Sequence, residues 1–83
     1  MLKELENAAK VVGVKQVRRA LANGQARRVY LAQDADPQLT RPLELQAQER
    51  GVETVWTQSM RALGQACGIA VGAAVAAALN SGA

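Results

Sequence analysis

The residue types that could do chemistry are concentrated in Gly13-Val14-Lys15-Gln16-Val17-Arg18-Arg19. A glycine that opens a helix places Lys15, Gln16, Arg18 and Arg19 at the end where unpaired N–H groups and positive partial charge collect. Cations there are poor electrostatics for an isolated helix. They make sense when a polyanion docks at that end, and a phosphate backbone is the commonest one. The chemistry in view is binding rather than bond making.

Catalysis finds no support. The chain has no histidine, which removes the commonest general base and metal ligand. Ser59 therefore has no triad partner. Asp34 and Asp36 form a D-x-D pair that a metal–nucleotide site could use, but no third carboxylate or glycine-rich phosphate loop accompanies it. As turn formers before Pro37 they read better as structure. Cys67 is the single cysteine, so no intramolecular disulfide can form. It reads as a buried small apolar residue in a reducing compartment, without a base to activate it. No catalytic residue, metal site or cofactor is expected, and the location expected is the cytoplasm.

A second constellation is Leu63-Gly64-Gln65-Ala66-Cys67-Gly68-Ile69-Ala70-Val71-Gly72. Glycines let backbone come close to a partner. Ile69 and Val71, flanked by Gly68 and Gly72, could present an apolar lip beside the polar helix end and cover an extruded base. The plainer alternative, that Ile69 and Val71 simply enter the core, is the stronger reading of that segment taken alone. Gly64, Gly68 and Gly72 also fall at G-x-x-x-G spacing. The uncharged run Cys67–Leu79 is 13 residues long, short of the roughly 20 that span a bilayer as a helix. No membrane partner is expected, and with Glu4 and Glu6 in the first turns no cleavable leader is visible.

The elements that must position these residues follow from periodicity. Leu2, Leu5, Ala9 and Val12 recur at helical spacing, predicting a first helix that ends at Gly13. Val14, Val17, Ala20 and Leu21 predict a second, stopped by Asn23-Gly24. Arg28–Ala32 reads as a strand and Asp34–Pro37 as a turn. Pro42 is tolerated in a first turn, which puts a third helix from a Thr40 cap to Arg50, with Leu39 and Leu43 packed near its start. Val52–Trp56 is a second strand. Ser59 caps a fourth helix, Met60–Ala66. Val71–Leu79 reads as a buried last strand, although Ala73–Ala78 has high helix propensity and only burial would make it β. The tail Asn80–Ala83 is expected to fray. Helices alternating with strands call for a sheet covered on both faces.

Eighty-three residues allow one small domain. Such a chain buries only roughly 60% of its unfolded surface, which leaves little room for a deep cavity. Ala and Val supply much of the apolar content, and Tyr30 and Trp56 are the two aromatics. Single-strand binding by base stacking is thereby disfavoured. The net charge is +3, but residues 1–33 carry seven basic side chains against two acidic ones, and the remainder three against five. The asymmetry predicts a basic face for an anionic partner.

Three motifs in order resemble the kink-turn RNA-binding ribosomal proteins of the L7Ae and L30e type, along almost the whole chain. Gly13–Ala20 is similar to that family's helix-opening G-T-N-E-x-T-K-A. Arg28–Pro37 resembles its strand ending in A-x-D-x-D-P, and Leu63–Gly72 its L-G-x-A-x-G-I-x-V-G. The short bacterial members are the most similar. The resemblance implies a three-layer α-β-α sandwich spanning residues 1–83. It implies a monomer whose partner is structured RNA, ribosomal or regulatory: a duplex sharply bent at a three-nucleotide bulge beside tandem sheared G·A pairs. It implies that Gly13, Lys15, Gln16 and Arg19 face that RNA, with Val14 and Arg18 on the same helix. It also implies that the loop Gly68, Ile69, Ala70 and Val71 covers a bulged nucleotide. The chain departs from the family pattern at Val14 in place of Thr, Lys15 of Asn, Gln16 of Glu and Arg19 of Lys. A reading from another class remains beside it: a small protein-interaction domain that oligomerises through its alanine-rich strand.

Overall fold

A computed structural model describes residues 2–80, in which helices and strands alternate from end to end. The elements are α1 (Lys3–Asn7), β1 (Lys10–Val12), α2 (Val14–Ala22), β2 (Ala26–Ala32), α3 (Pro37–Glu49), β3 (Glu53–Thr57), α4 (Met60–Ala66) and β4 (Val75–Leu79). The strands form one mixed sheet in the order β1-β4-β2-β3. β2 and β3 run parallel from Arg28↔Glu53 to Ala32↔Thr57, and β4 is antiparallel to both β1 and β2.

Side-chain alternation along the strands divides the core in two. Val29, Leu31, Val75 and Ala77 meet Val17, Ala20 and Leu21 of α2 and Leu43 and Ala47 of α3. Tyr30, Ala32, Ala76 and Ala78 meet Leu5 of α1 and Leu63 and Ala66 of α4. The result is the expected α-β-α sandwich. Ala76, Ala77 and Ala78 have no exposed surface. Alanine there lets both helical layers approach the sheet closely, and burial overrides its helix propensity. β4 is hydrogen-bonded along both edges. It therefore has no free edge for another chain, and oligomerisation through the alanine-rich strand is corrected. Among the described residues no helix is long and apolar enough to cross a membrane.

The expected strands over 28–32 and 52–56 shift by one or two residues, to Ala26–Ala32 and Glu53–Thr57, and three boundaries move further. The first helix stops at Asn7, and Lys10–Val12 is a strand, because Val11 and Val12 gain a ladder with Ala77 and Ala76. β-branched residues fit that pleated surface better than another helical turn. The third helix starts at Pro37: the Asp36 carboxylate accepts from the Gln38 N–H at 2.9 Å, and Pro37 takes the first helical position. Thr40 is buried instead of capping, Leu39 is exposed, and Pro42 lies inside the helix. The last strand begins at Val75, leaving residues 68–74 as a loop. Asn80, expected to fray, donates from its backbone N–H to the Gln25 carbonyl at 2.8 Å and from Nδ2 to the Gly24 carbonyl at 3.1 Å. The rest of that tail, residues 81–83, lies outside the described residues.

A polar knot fastens α1, whose start no side chain caps, to the sheet. Glu4 accepts from the Tyr30 hydroxyl, from Arg28 Nη1 and from Arg27 Nη2, the last at 2.8 Å, while Arg28 Nε donates to Glu53 at 2.9 Å. Tyr30 is 2% exposed, so its hydroxyl needs this partner. The Tyr30 hydroxyl holds the Glu4 carboxyl below the usual carboxylate range; burial opposes this, and Arg28 and Arg27 reinforce it. Burial, and then the bond to Glu4, push the Tyr30 phenol up. A depressed carboxyl stabilises the fold above its ordinary value and loses that contribution as pH falls through the depressed one. A raised phenol stabilises below its ordinary value and loses that contribution as pH rises. Tyr30→Phe is expected to cost about 1 kcal/mol in urea unfolding at neutral pH. It should also move the acid limb of the stability curve to higher pH and remove the phenol's alkaline limb. An unchanged acid limb would show that Tyr30 does not hold Glu4.

Candidate nucleic-acid interface

Gly13 opens α2 with φ 106° and ψ 156°, a backbone that L side chains rarely adopt. Its carbonyl accepts from the Val17 N–H at 3.0 Å, and its own N–H donates to the Val75 carbonyl at 3.0 Å. Val17, Ala20 and Leu21 are buried and Val14 is half-buried against the same core. Lys15, Gln16, Arg18 and Arg19 are exposed. At about 100° per residue, Lys15 and Arg19 lie roughly 40° apart on one stripe, whereas Arg18 and Gln16 flank it about 160° from each other. Arg18 is on the α3 side, where Gln46 Nε2 donates to the Arg18 carbonyl at 3.3 Å. One flat contact therefore cannot take all four side chains, and only a surface that curves around the helix could reach them together.

Lys15 lies in the first turn of α2, but Arg19 lies in its last, so the expectation that all four polar side chains gather at the helix start is corrected: the nine-residue helix is short enough that they run along its length. No acidic residue lies in the first turn of α2, and no side chain caps its start. Among the described residues Lys15, Arg18 and Arg19 have no ion pair, while Arg27 and Arg28 are engaged by Glu4 and Glu53. Lys3 and Lys10 are likewise without an ion pair among the described residues, but α2 alone brings three such cations onto one element.

The second constellation builds the neighbouring rim. Ser59 Oγ caps α4 by accepting from the Ala62 N–H at 3.0 Å. Beyond Cys67 the chain turns at Gly68, whose φ is 78°, and folds back over α4. The Ile69 N–H donates to the Gly64 carbonyl at 3.1 Å and the Ala73 N–H to the Met60 carbonyl at 2.9 Å. The fold-back is close: a Cβ on Gly64 would lie 2.1 Å from the Val71 carbonyl oxygen. Ile69 is half-buried against the core, Ala70 is exposed, and Val71 is 70% exposed. Entry of both apolar residues into the core is corrected: Ile69 enters in part and Val71 stands out as a crest. The exit of this loop is the segment bonded to Gly13, since Val75 begins β4 and Val12 pairs with Ala76. The α2 tip and the loop are thereby parts of one rim.

The remaining candidates are structural. Asp36 caps α3, and Asp34 Oδ1 accepts from the Met60 N–H at 2.8 Å, so the D-x-D pair starts two helices. Burial pushes the Cys67 thiol up, which keeps it inert. Sequence reasoning missed Met60 and Gly64 as the residues the loop folds against, and Asp34 as the acceptor of the Met60 N–H. The 2.1 Å approach at Gly64 is a tertiary contact with no local signal beyond the glycine itself.

A sequence profile described as the ribosomal protein L7Ae/L30e/S12e/Gadd45 family matches residues 2–83. An "RNA-binding protein" of Bacillus pumilus (strain SAFR-032) is 45% identical over 67 residues, 81% of this chain and 82% of that relative. The "RNA-binding protein YbxF" of Geobacillus stearothermophilus is 42% identical over 78 residues, 94% of this chain and 95% of its own length. Among solved structures, the Giardia lamblia 15.5kD RNA binding protein matches with a TM-score of 0.91 at 29% identity, over 96% of this chain and 71% of the other.

Two glycines that shape the loop, Gly64 in α4 and Gly68 at the turn, should fail for different reasons when substituted. Gly64→Ala drives a Cβ into backbone and is expected to cost about 2 kcal/mol, with amide chemical shifts moving in residues 68–74. Gly68→Ala meets nothing within 4 Å. It should cost about 1 kcal/mol from its left-handed φ alone and leave the loop in place. Urea unfolding and amide spectra check both, and unshifted loop amides in Gly64→Ala would refute the close approach.

Proposed function

The chain belongs to the ribosomal protein L7Ae/L30e/S12e/Gadd45 family, and from that premise we propose that it is a non-enzymatic RNA-binding protein that recognises a kink-turn. Its ligand is a duplex bent at a bulge beside tandem G·A pairs, in ribosomal or regulatory RNA. Residues 1–83 act as one domain, monomeric and cytoplasmic. The observation that carries this reading is an uncompensated cationic helix, α2, whose start shares a rim with an exposed apolar crest. Relatives that align along most of this chain are named RNA-binding proteins, in support of the ligand class.

The geometry suits bent RNA. A regular A-form major groove is too narrow for a helix, and a sharp bend opens it. Lys15 can then donate to guanine O6 and N7. Gln16 both donates and accepts, without the repulsion that a carboxylate would meet from phosphates. Arg19, on the stripe with Lys15, holds one backbone, and Arg18, on the α3 flank, holds the other. Val71 and Ile69 cover the bulged nucleotide from the adjoining loop. Such a protein acts by population shift: it binds the bent RNA better than the extended form and so stabilises the bend.

A bulged duplex with tandem G·A pairs should bind more tightly than the same strands with G·C pairs at those positions. Lys15→Ala is expected to cost about 1–3 kcal/mol of that preference, as a base contact does. Arg19→Ala should weaken both duplexes and lower the slope of log K against log salt by about 1. Neither substitution should change the melting temperature, since both side chains are exposed and unpaired. Equal affinity for the two duplexes would reject recognition of the bend.

A further inference from the structure

Asp34 makes no contact in the RNA reading above, yet its carboxylate reaches from the β2–α3 turn to the start of α4. Its Oδ1 accepts from the Met60 N–H at 2.8 Å. Met60 is the first residue of α4, where free N–H groups and positive partial charge favour a carboxylate. Ser59 does not duplicate this cap, because Ser59 Oγ takes the Ala62 N–H instead. The turn that carries Asp34 is itself tied to the sheet: the Gln33 N–H donates to the Thr57 carbonyl at 3.0 Å and the Ala35 N–H to the Ala32 carbonyl at 3.2 Å.

Met60 passes this anchor on. Its carbonyl accepts from the Ala73 N–H at 2.9 Å, and a Cβ on Gly72 would meet its Cβ at 3.1 Å. The loop that bears the Val71 crest therefore leans on Met60 at its far end, as it leans on Gly64 at its near end. Ala70 and Val71, between the two supports, are exposed. Their position on the rim depends on where the first turn of α4 sits, and Asp34 holds that turn from the β2–α3 turn.

We propose that Asp34 is a positioning residue for RNA recognition: by fixing the Met60 N–H it sets the Ala70–Val71 crest at the height where a bulged nucleotide is covered. Its consequence for binding depends on the kink-turn reading; the anchoring of the loop does not. Loss of the anchor lowers the fit to the bulge and leaves the phosphate contacts of α2 unchanged. It therefore shows as lost discrimination between bent and straight duplexes rather than as lost overall affinity.

The experiment compares Asp34→Ala with Asp34→Asn. Each removes one negative charge from the rim, so general attraction for phosphate rises equally in both. They differ in the oxygen acceptor, which Asn keeps. Affinities for the bulged tandem G·A duplex and its G·C counterpart are measured at a temperature where circular dichroism shows both variants folded. The ratio of the two affinities should fall about tenfold in Asp34→Ala, as expected for loss of one charge-assisted hydrogen bond, and by no more than about threefold in Asp34→Asn, whose neutral amide oxygen still accepts from the Met60 N–H. The salt slope should be the same in both variants. Amide exchange at Ala73, read without RNA, should be faster in Asp34→Ala than in Asp34→Asn. A parental ratio in Asp34→Ala, or an equal fall in Asp34→Asn, overturns the proposal. If the parent chain itself does not discriminate, the kink-turn reading fails. The anchoring is then decided by Ala73 alone, and unchanged exchange there in Asp34→Ala overturns it.

Discussion

The burial of β4 is the constraint from which the rest of the structure follows. This strand is paired on both edges and covered on both faces, and its middle is three alanines with no exposed surface. Small side chains allow two helical layers to close on one sheet in a chain with few large apolar residues. The same placement sets the rim. Because β4 enters the sheet between β1 and β2, the loop that leads into it must end beside the start of α2. The Gly13–Val75 hydrogen bond is the local expression of that topology. A glycine is required there because the φ of 106° that aims the Gly13 N–H at Val75 is costly for any other residue.

Electrostatics are sorted by the same fold. Seven of the ten basic side chains lie in residues 1–33, but they do not form one face. β2 carries Arg27 and Arg28 against Glu4 and Glu53, where the charges are internally compensated and tie α1 to the sheet. α2 carries Lys15, Arg18 and Arg19 with no such compensation among the described residues. The first set serves stability, with pH limits set by Glu4 and Tyr30. The second leaves an uncompensated cationic stripe along α2, from Lys15 in its first turn to Arg19 in its last, which is suited to an anionic partner.

The departures from the family pattern acquire a physical meaning in this frame. Val14 packs its half-buried side chain against the core under α2, so an apolar residue there contributes to packing where a threonine would offer a hydroxyl. Lys15 and Arg19 share the exposed stripe, which makes the tip more cationic than Asn and Lys would. Gln16 lies on the flank away from Arg18, exposed and uncharged. These changes leave the backbone of the rim intact and alter the side chains that decorate it.

Much of this protein was legible in its residues. Helix-spaced apolar positions in α2, the Ser59 cap of α4, the turn at Asn23-Gly24 and the three family motifs depend on neighbours in the chain, so local physics and pattern suffice to read them. The α-β-α class followed from the alternation of elements. What required the tertiary structure were the properties set by residues far apart in sequence. Lys10–Val12 became a strand because β4 offered a partner some 65 residues later, as the Val11↔Ala77 pairing shows. Pro42 lies inside α3 because Asp36 and Pro37 start that helix early and the burial of Leu43 and Ala47 holds it. Val71 is exposed and Ile69 half-buried because the loop folds over Gly64 and Met60, an approach that no spacing encodes. Local sequence specifies which conformations a segment prefers; the choice among them is made by burial and hydrogen bonding that exist only once the sheet is assembled.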